Sequence, residues 1–155
     1  MKTWHQAVRD AAVSGSAAAI ASATALAACG GAEEGAPMAP MNAVSHWIFG
    51  DRAFHQDRPT LRHTVTGYLI HHAAALFWAV QYERWLGQRS KSTPRTLGDA
   101  ALASGVACFV DYRCTPRPLM PGYEKRLSKK SLFIVYSAFA VGLAAGTVLL
   151  GQNRR

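Results

Sequence analysis

The chain has 155 residues, a formal net charge of +8 and a hydrophobic content of 50%, yet its mean hydropathy is close to zero. Most of its 17 Lys and Arg residues fall in short clusters between long stretches that are nearly free of charge. This segregation disfavours a soluble domain, whose charges follow helix faces at a period of 3.6 residues. The basic charge appears without a recognition motif, so nucleic acid is not an expected partner.

The first uncharged stretch, residues 11–29, is long enough to cross about 30 Å of hydrocarbon. Small residues recur every four positions at Ser14, Ala18 and Ser22, which lets a second helix approach closely. The same stretch has an alternative interpretation as a signal peptide, because the sequence LAAC followed by Gly is similar to a bacterial lipobox. Cleavage would then leave a lipid-modified Cys29 at the mature N-terminus.

A polar connection, the first loop, follows over residues 30–63, and a short amphipathic helix is predicted within it over about residues 42–50. Asn42 is expected to cap this helix, with Val44, Trp47 and Ile48 on one face. An aromatic-rich amphipathic helix beside a membrane segment is expected to lie in the membrane interface.

Three more apolar stretches follow, and the last of them carries no charge. The sequence therefore predicts an all-α integral membrane bundle of about four transmembrane helices, forming a single domain over residues 1–155. The predicted spans are residues 11–29, 64–84, 96–115 and 131–151. Eight Lys and Arg residues fall with the termini and the second loop and nine fall in the other two loops, so the orientation stays open.

Two adjacent histidines, His71 and His72, lie seven or eight residues into the second span. Ionisable groups at such a depth usually face the bundle interior or mark function. Antiparallel packing of the second and third spans would bring them to the depth of Asp111, with Tyr68 one turn before His72. Adjacent helical positions diverge by about 100°, so only one of the two histidines can point at a given ligand, and we expect His72 to face the interior.

Three interpretations of these polar residues are open. His72 could fix helix packing by hydrogen bonding to Asp111 or to a backbone carbonyl, or the residues could line a proton or solute path. A haem or metal site could instead use His71 or His72 with Asp111 and Tyr68, so the cofactor is unknown. Three cysteines without zinc-site spacing indicate neither a disulfide framework nor a zinc site. Known hydrolase, phosphate-loop and HExxH motifs are missing from the sequence, and no catalytic residue is assigned.

Other features favour structural roles. Glu83 and Asp99 are expected to form loop-end ion pairs near Arg84 and Arg95. The Gly142/Gly146 pair is a GxxxG pattern that suits helix packing within the bundle or dimerisation. The proline-rich, basic third loop, residues 115–128, is either a solvated anchor or a contact for lipid headgroups or a partner.

Three blocks of the sequence carry a resemblance: PMNAVSHWIFGDRAF, LRHTVTGYLIHHAAALFWAVQYERW and PGYEKRLSKKSLFIVYSAFAVGLAAG. Together they resemble small hypothetical inner-membrane proteins of proteobacteria, over about residues 10–150. The resemblance implies a four-span protein of the bacterial inner membrane that retains its first helix, and it implies no particular activity.

We therefore expect a structural, accessory or stress-related component embedded in the lipid bilayer, acting alone, as a homo-oligomer or with a membrane-protein partner. One alternative is a haem- or metal-binding membrane protein. Another is an oligomeric transporter or channel subunit.

Overall fold

The computed structural model describes residues 1–87 and 93–152, and all regular structure within these ranges is helical. The α-helices are α1 (Trp4–Glu34), α2 (Ala39–Val44), α3 (His46–Phe49), α4 (Thr66–Trp85), α5 (Thr93–Phe109) and α6 (Lys129–Gln152). The π-helical turns are Leu61–Val65 and Val110–Cys114, and the 3-10 turns are Gly50–His55, Arg117–Leu119 and Tyr123–Lys125. The prediction of an all-helical chain is confirmed for these residues. Arg89, Lys91, Arg154 and Arg155, which entered the charge count for orientation, lie outside them.

The first helix is longer than the predicted span because the residues that start and end it lie outside residues 11–29. Thr3 and Gln6 form a reciprocal capping box, in which each backbone N–H donates to the other side chain over 3.0 and 3.2 Å. At the other end Gly35 adopts a φ of 65°, the left-handed conformation that typically terminates a helix. The helix therefore extends beyond residues 11–29 in both directions.

Two helices, Trp4–Glu34 and Lys129–Gly151, are long and apolar enough to cross a membrane. Core helices of soluble proteins and signal sequences share these two properties. The helices α4 and α5 are not in this class: α4 contains two histidines, Glu83 and Arg84, and α5 is 17 residues long. The predicted count of four spans is thus not confirmed.

The predicted interfacial helix over residues 42–50 is displaced and divided. Its first part, α2, begins at Ala39 because Pro40 is well suited to the first helical turn. Asn42 is therefore not the cap but a fully buried residue inside α2. Its amide nitrogen donates to the carbonyls of Gln56 and Arg58 at 2.8 and 2.9 Å. Its oxygen accepts a hydrogen bond of 2.6 Å from Thr64, so Asn42 organises the first loop.

Backbone contacts divide the chain into two compact units. The first comprises Met1–Ser22, His72–Cys108 and Tyr136–Arg155. Seven of the ten residues of its buried core cluster are alanines, so its helix backbones approach closely. Gly15 illustrates this approach, since a Cβ added there would lie 2.9 Å from the Ala79 side chain.

The second unit comprises Ala23–His71 and Phe109–Val135 and contains the first and third loops. Two glycines permit close packing here. Gly67 lies directly against the Met41 carbonyl, and a side chain there would overlap it. Gly122 adopts a φ of 95° beside the His46 ring and the Ala43 carbonyl, a conformation that favours glycine.

Candidate functional sites

The four residues predicted to form an intramembrane polar site are placed in different surroundings. His72 belongs to the first unit, where its Nε2 lies 3.1 Å from the Ser16 hydroxyl on α1. Tyr68, His71 and Asp111 belong to the second unit; His71 is buried and the other two are half-buried. His72 thus contacts α1 but is only half-buried, so the expectation that His72 rather than His71 is the interior residue is not met. A ligand role for the four residues stays a prediction.

Metal binding requires several donors close together. Among residues 1–87 and 93–152, no group of three or more His, Cys, Asp or Glu side chains is arranged to hold a metal ion. The metal alternative therefore lacks a donor set in the part of the chain that the structure describes. Cys29, the residue of the lipobox-like sequence, is a free thiol buried within α1.

The GxxxG pattern of α6 lies against α1 within the first unit. A Cβ added at Gly142 would lie 2.5 Å from Ala18 Cα and 2.7 Å from the Ala17 carbonyl oxygen. A Cβ added at Gly146 would overlap Ser14 Cα. The pattern therefore meets the predicted small-residue stripe of α1 and serves packing within one chain.

A buried cluster of charges was not anticipated from the sequence. Lys2 Nζ lies 2.9 Å from Asp10 Oδ2 and also contacts Glu83 Oε2. Thr147 on α6 donates a hydrogen bond of 2.9 Å to Glu83 Oε1. The three charged side chains are at most 9% exposed, and every charge has an opposite charge beside it, as burial demands.

The expected environment of Glu83 was different. The sequence predicts a loop-end ion pair near Arg84 and Arg95, whereas the structure pairs Glu83 with Lys2. One signal in the sequence points to this outcome: the four-residue repeat of the α1 stripe, continued one step towards the N-terminus, reaches Asp10. A carboxylate on a packing face requires a cation, and Lys2 supplies it.

The guanidinium of Arg84 packs against two aromatic rings. Its guanidinium carbon lies 5.2 Å from the centre of the Trp4 ring and 4.9 Å from that of Trp85. Such cation–π contacts join the start of α1 to the end of α4. Indole rings beside a basic residue at one end of apolar helices are typical of a membrane interface.

The second unit is tied together by Arg126 of the third loop. Its guanidinium contacts Glu34 Oε2 and Asp57 Oδ1 at 2.6 Å, and it donates to the Phe54 carbonyl at 2.6 Å. The hydrogen bond that Arg126 donates to Glu34 raises the pKa of Arg126; partial burial opposes this shift, and the hydrogen bond that Arg126 donates to Asp57 adds to it. One side chain therefore links the end of α1, the first loop and the third loop.

Glu33 makes a second link at the end of α1. Its carboxylate accepts hydrogen bonds from the Ser128 hydroxyl, from the Ser128 backbone N–H at 2.8 Å and from the Ser131 hydroxyl at 2.7 Å. Because these donors favour the ionised carboxylate, they lower the pKa of Glu33 from its ordinary value of 4.5.

An open cleft of about 1110 Å³ lies between the first and third loops of this unit. The indole N–H of Trp47 donates to the Met120 carbonyl at 2.9 Å and joins the two walls. The His46 ring lies 4.9 Å from that of Phe54 on one side. The ionisable lining residues are His46, His55, Asp51, Asp57, Glu124, Arg117, Lys125 and Arg126.

The third loop is basic and the first loop is aromatic in the sequence, but nothing in the sequence predicts that the two loops lie side by side. The lining residues come from segments about 70 positions apart, such as Trp47 and Met120. Comparison with protein-family models, curated proteins and solved structures finds no match to this chain.

Proposed function

We propose that this chain is a multi-pass protein of the bacterial inner membrane that spans the bilayer with α1, α4, α5 and α6 and serves as a structural or accessory component. The bacterial and inner-membrane parts of this proposal are supported by the resemblance of the three sequence blocks. The membrane part is supported by the distribution of large apolar side chains.

That distribution is inverted relative to a soluble protein. The interior of the first unit consists largely of alanine, serine and glycine, together with the paired charges of Lys2, Asp10 and Glu83. Tyr82, Phe139 and Leu143 are its buried large side chains. Nine other large apolar side chains of its long helices point outward, each with 40% to 59% of its surface exposed: Val8, Val13, Ile20, Phe77, Leu97, Leu102, Val106, Val141 and Leu149.

Water would make this arrangement unfavourable. Burying one large apolar side chain contributes about 1.5–3 kcal/mol to stability, and the outward residues would forgo roughly half of that gain. In a lipid environment these side chains meet hydrocarbon, and small inward residues are what close helix packing requires. The inverted distribution therefore supports a bilayer as the solvent of this unit.

The same reasoning supports spans at α4 and α5. On α4, Leu69 and Phe77 are 62% and 58% exposed, and on α5 Leu102 and Val106 are 59% and 46% exposed. The polar residues that lower the hydropathy of α4 lie elsewhere: Glu83 is buried against Lys2, and His72 contacts Ser16. The mean hydropathy of α4 is lowered by polar residues that contact other helices, whereas its exposed face is apolar and compatible with lipid.

A structural rather than catalytic role is supported by how the charges are used. Lys2, Asp10 and Glu83 join α1 to α4, and Arg126 joins the third loop to Glu34 at the end of α1. Groups engaged in such ties are less able to act on a substrate.

Topology reporters test the proposal. Alkaline phosphatase and green fluorescent protein are fused after Gly87 and after Leu119 in the full N-terminal context. With four spans, the two fusion points lie on opposite sides of the membrane, so one is active with each reporter. If only α1 and α6 cross, both points lie on the same side and the four-span proposal is wrong. Recovery in the soluble fraction would overturn membrane insertion itself.

A further inference from the structure

The charges that line the cleft between the first and third loops are not equally occupied. Asp57 is held by Arg126 at 2.6 Å, and the Glu124 carboxylate accepts the Gly122 backbone N–H at 2.8 Å. Arg126 is further occupied by Glu34. These interactions stabilise the walls of the cleft, so the charges of Asp57, Glu124 and Arg126 are already paired or hydrogen-bonded within the chain.

Three other lining residues, Arg117, Lys125 and Asp51, are exposed. Within the described ranges, none of them has an ion pair within 4.0 Å or a side-chain hydrogen bond. Two cations and one carboxylate thus face the same open volume without neutralising one another. A ligand that carries one negative and one positive group matches this set.

Trp47 lines the cleft, and two further exposed apolar residues, Ile48 and Leu119, are adjacent in the sequence to lining residues. Trp47 and Ile48 at the end of the first-loop helices are 44% and 64% exposed, and Leu119 of the third loop is 50% exposed. Trp47 is held in place by its hydrogen bond to Met120. An indole ring and aliphatic side chains beside a polar cleft provide contacts for the acyl part of an amphiphile at the membrane surface.

We propose that this cleft binds the phosphoethanolamine headgroup of a phospholipid. Arg117 and Lys125 hold the phosphate, and Asp51 accepts hydrogen bonds from the ammonium group. Trp47 and Leu119 contact the start of the acyl chains. This assignment rests on the proposed membrane function.

Charge and hydrogen bonding separate this headgroup from its relatives. A phosphoglycerol headgroup satisfies the two cations but offers Asp51 no positive group. A phosphocholine headgroup has the right charges, yet its quaternary nitrogen has no N–H to donate to a carboxylate. The cleft therefore prefers a primary ammonium, and the preference resides in Asp51.

The experiment is a lipid titration of the detergent-purified full chain, followed by native mass spectrometry. The probes are dioleoyl phosphatidylethanolamine, phosphatidylglycerol and phosphatidylcholine, added singly at equal concentrations. We expect the ethanolamine lipid to bind most tightly, and Arg117→Gln with Lys125→Gln to weaken it roughly tenfold or more. Asp51→Asn removes the preference for ethanolamine over glycerol but retains phosphate-dependent binding.

The matched control is Arg52→Gln with Arg58→Gln, which removes two exposed cations from the first loop without touching the cleft lining. This control should bind lipid as the wild type does. Equal loss in the control and in the cleft variant would overturn the proposal, as would equal affinity of the wild type for all three lipids.

Two further measurements separate the sources of failure. Soluble glycerophosphoethanolamine is added as a competitor; displacement at the same concentration as the lipid would show that the site takes a soluble phosphate ester and would overturn the lipid assignment. Alkaline extraction of the same cells reports insertion. An inserted protein without lipid selectivity contradicts only this inference, whereas a protein that is not inserted contradicts both proposals.

Discussion

Lys2, Asp10 and Glu83 are charged side chains that are nearly excluded from solvent, and their positions depend on one another. An ion pair of this kind does not by itself indicate high stability, because desolvation offsets much of the attraction. Removing one partner is different, since it leaves an uncompensated charge in a low-dielectric environment. The cluster is therefore best understood as a device that fixes how α1 and α4 are aligned.

Lys2→Met should lower the free energy of unfolding by about 3–5 kcal/mol, because both carboxylates lose their buried counter-ion. Thermal or chemical unfolding in detergent micelles measures the change. Arg9→Gln is the control: Arg9 also contacts Asp10, at 3.3 Å, but its side chain is 60% exposed. Its loss should cost less than about 1 kcal/mol, and equal effects of the two substitutions would contradict the buried cluster.

Glu33 predicts a pH dependence. It follows the uncharged residues 11–32 of α1, and hydrogen bonds from Ser128 and Ser131 lower its pKa from 4.5. Because the pKa is lower in the folded state than in the unfolded state, the ionised carboxylate stabilises the fold at neutral pH. This contribution is lost as the pH falls through the lowered pKa of the folded state.

Melting temperatures at about pH 6 and about pH 3 test this dependence. The wild type should lose more stability between the two conditions than Glu33→Gln does. Ser128→Ala combined with Ser131→Ala removes the hydroxyl donors and should reduce the acid sensitivity in the same direction. An unchanged pH profile in both variants would show that Glu33 is not coupled to folding.

At the scale of elements, α1 and α6 approach backbone to backbone. Gly142 faces Ala18 Cα and the Ala17 carbonyl, which are main-chain atoms that cannot rotate away from an added methyl group. We expect Gly142→Ala to lower the free energy of unfolding by about 1–3 kcal/mol. Differential scanning fluorimetry of the detergent-purified protein measures the effect.

Gly105 on α5 provides the matched control, because a Cβ there would meet nothing within 4 Å. Gly105→Ala should be neutral or stabilising by about 0.5–1 kcal/mol, since alanine favours helix formation. If Gly142→Ala leaves unfolding unchanged but abolishes a dimer on size-exclusion chromatography, the GxxxG pattern serves association between chains instead.

At the scale of the whole molecule, the inverted distribution of side chains makes a prediction opposite to that for a soluble bundle. Phe77 is 58% exposed near the middle of α4. Phe77→Lys should impair membrane insertion, because a lysine at the centre of a spanning helix costs about 2.5–3.5 kcal/mol. Alkaline extraction of membranes measures the inserted fraction, and Phe77→Leu is the control that keeps an apolar outer face. A soluble helical protein would tolerate the lysine at an exposed position.

Hydropathy was sufficient to locate the long helices α1 and α6, although it did not give the ends of α1. The charge-free stretches predict α1 and α6, because the hydropathy of a segment is the sum over its own residues and does not depend on which segments it contacts. The position of α2 was not obtained this way. Asparagine is a common residue at helix N-caps, which is why Asn42 was expected there. In the structure Pro40 lies in the first turn of α2, and the Asn42 amide instead donates hydrogen bonds to the carbonyls of Gln56 and Arg58.

The partners of the polar residues were decided only by tertiary structure. Lys2 and Glu83 are 81 positions apart, and Arg126 and Glu34 are 92 apart. The stripe of small residues on α1 predicts that this face packs against another helix. It does not predict that Gly142 and Gly146 of α6 are the residues that pack against it. Hydropathy and helix period are local properties of a segment, whereas an ion pair or a cleft depends on which segments become neighbours when the chain folds.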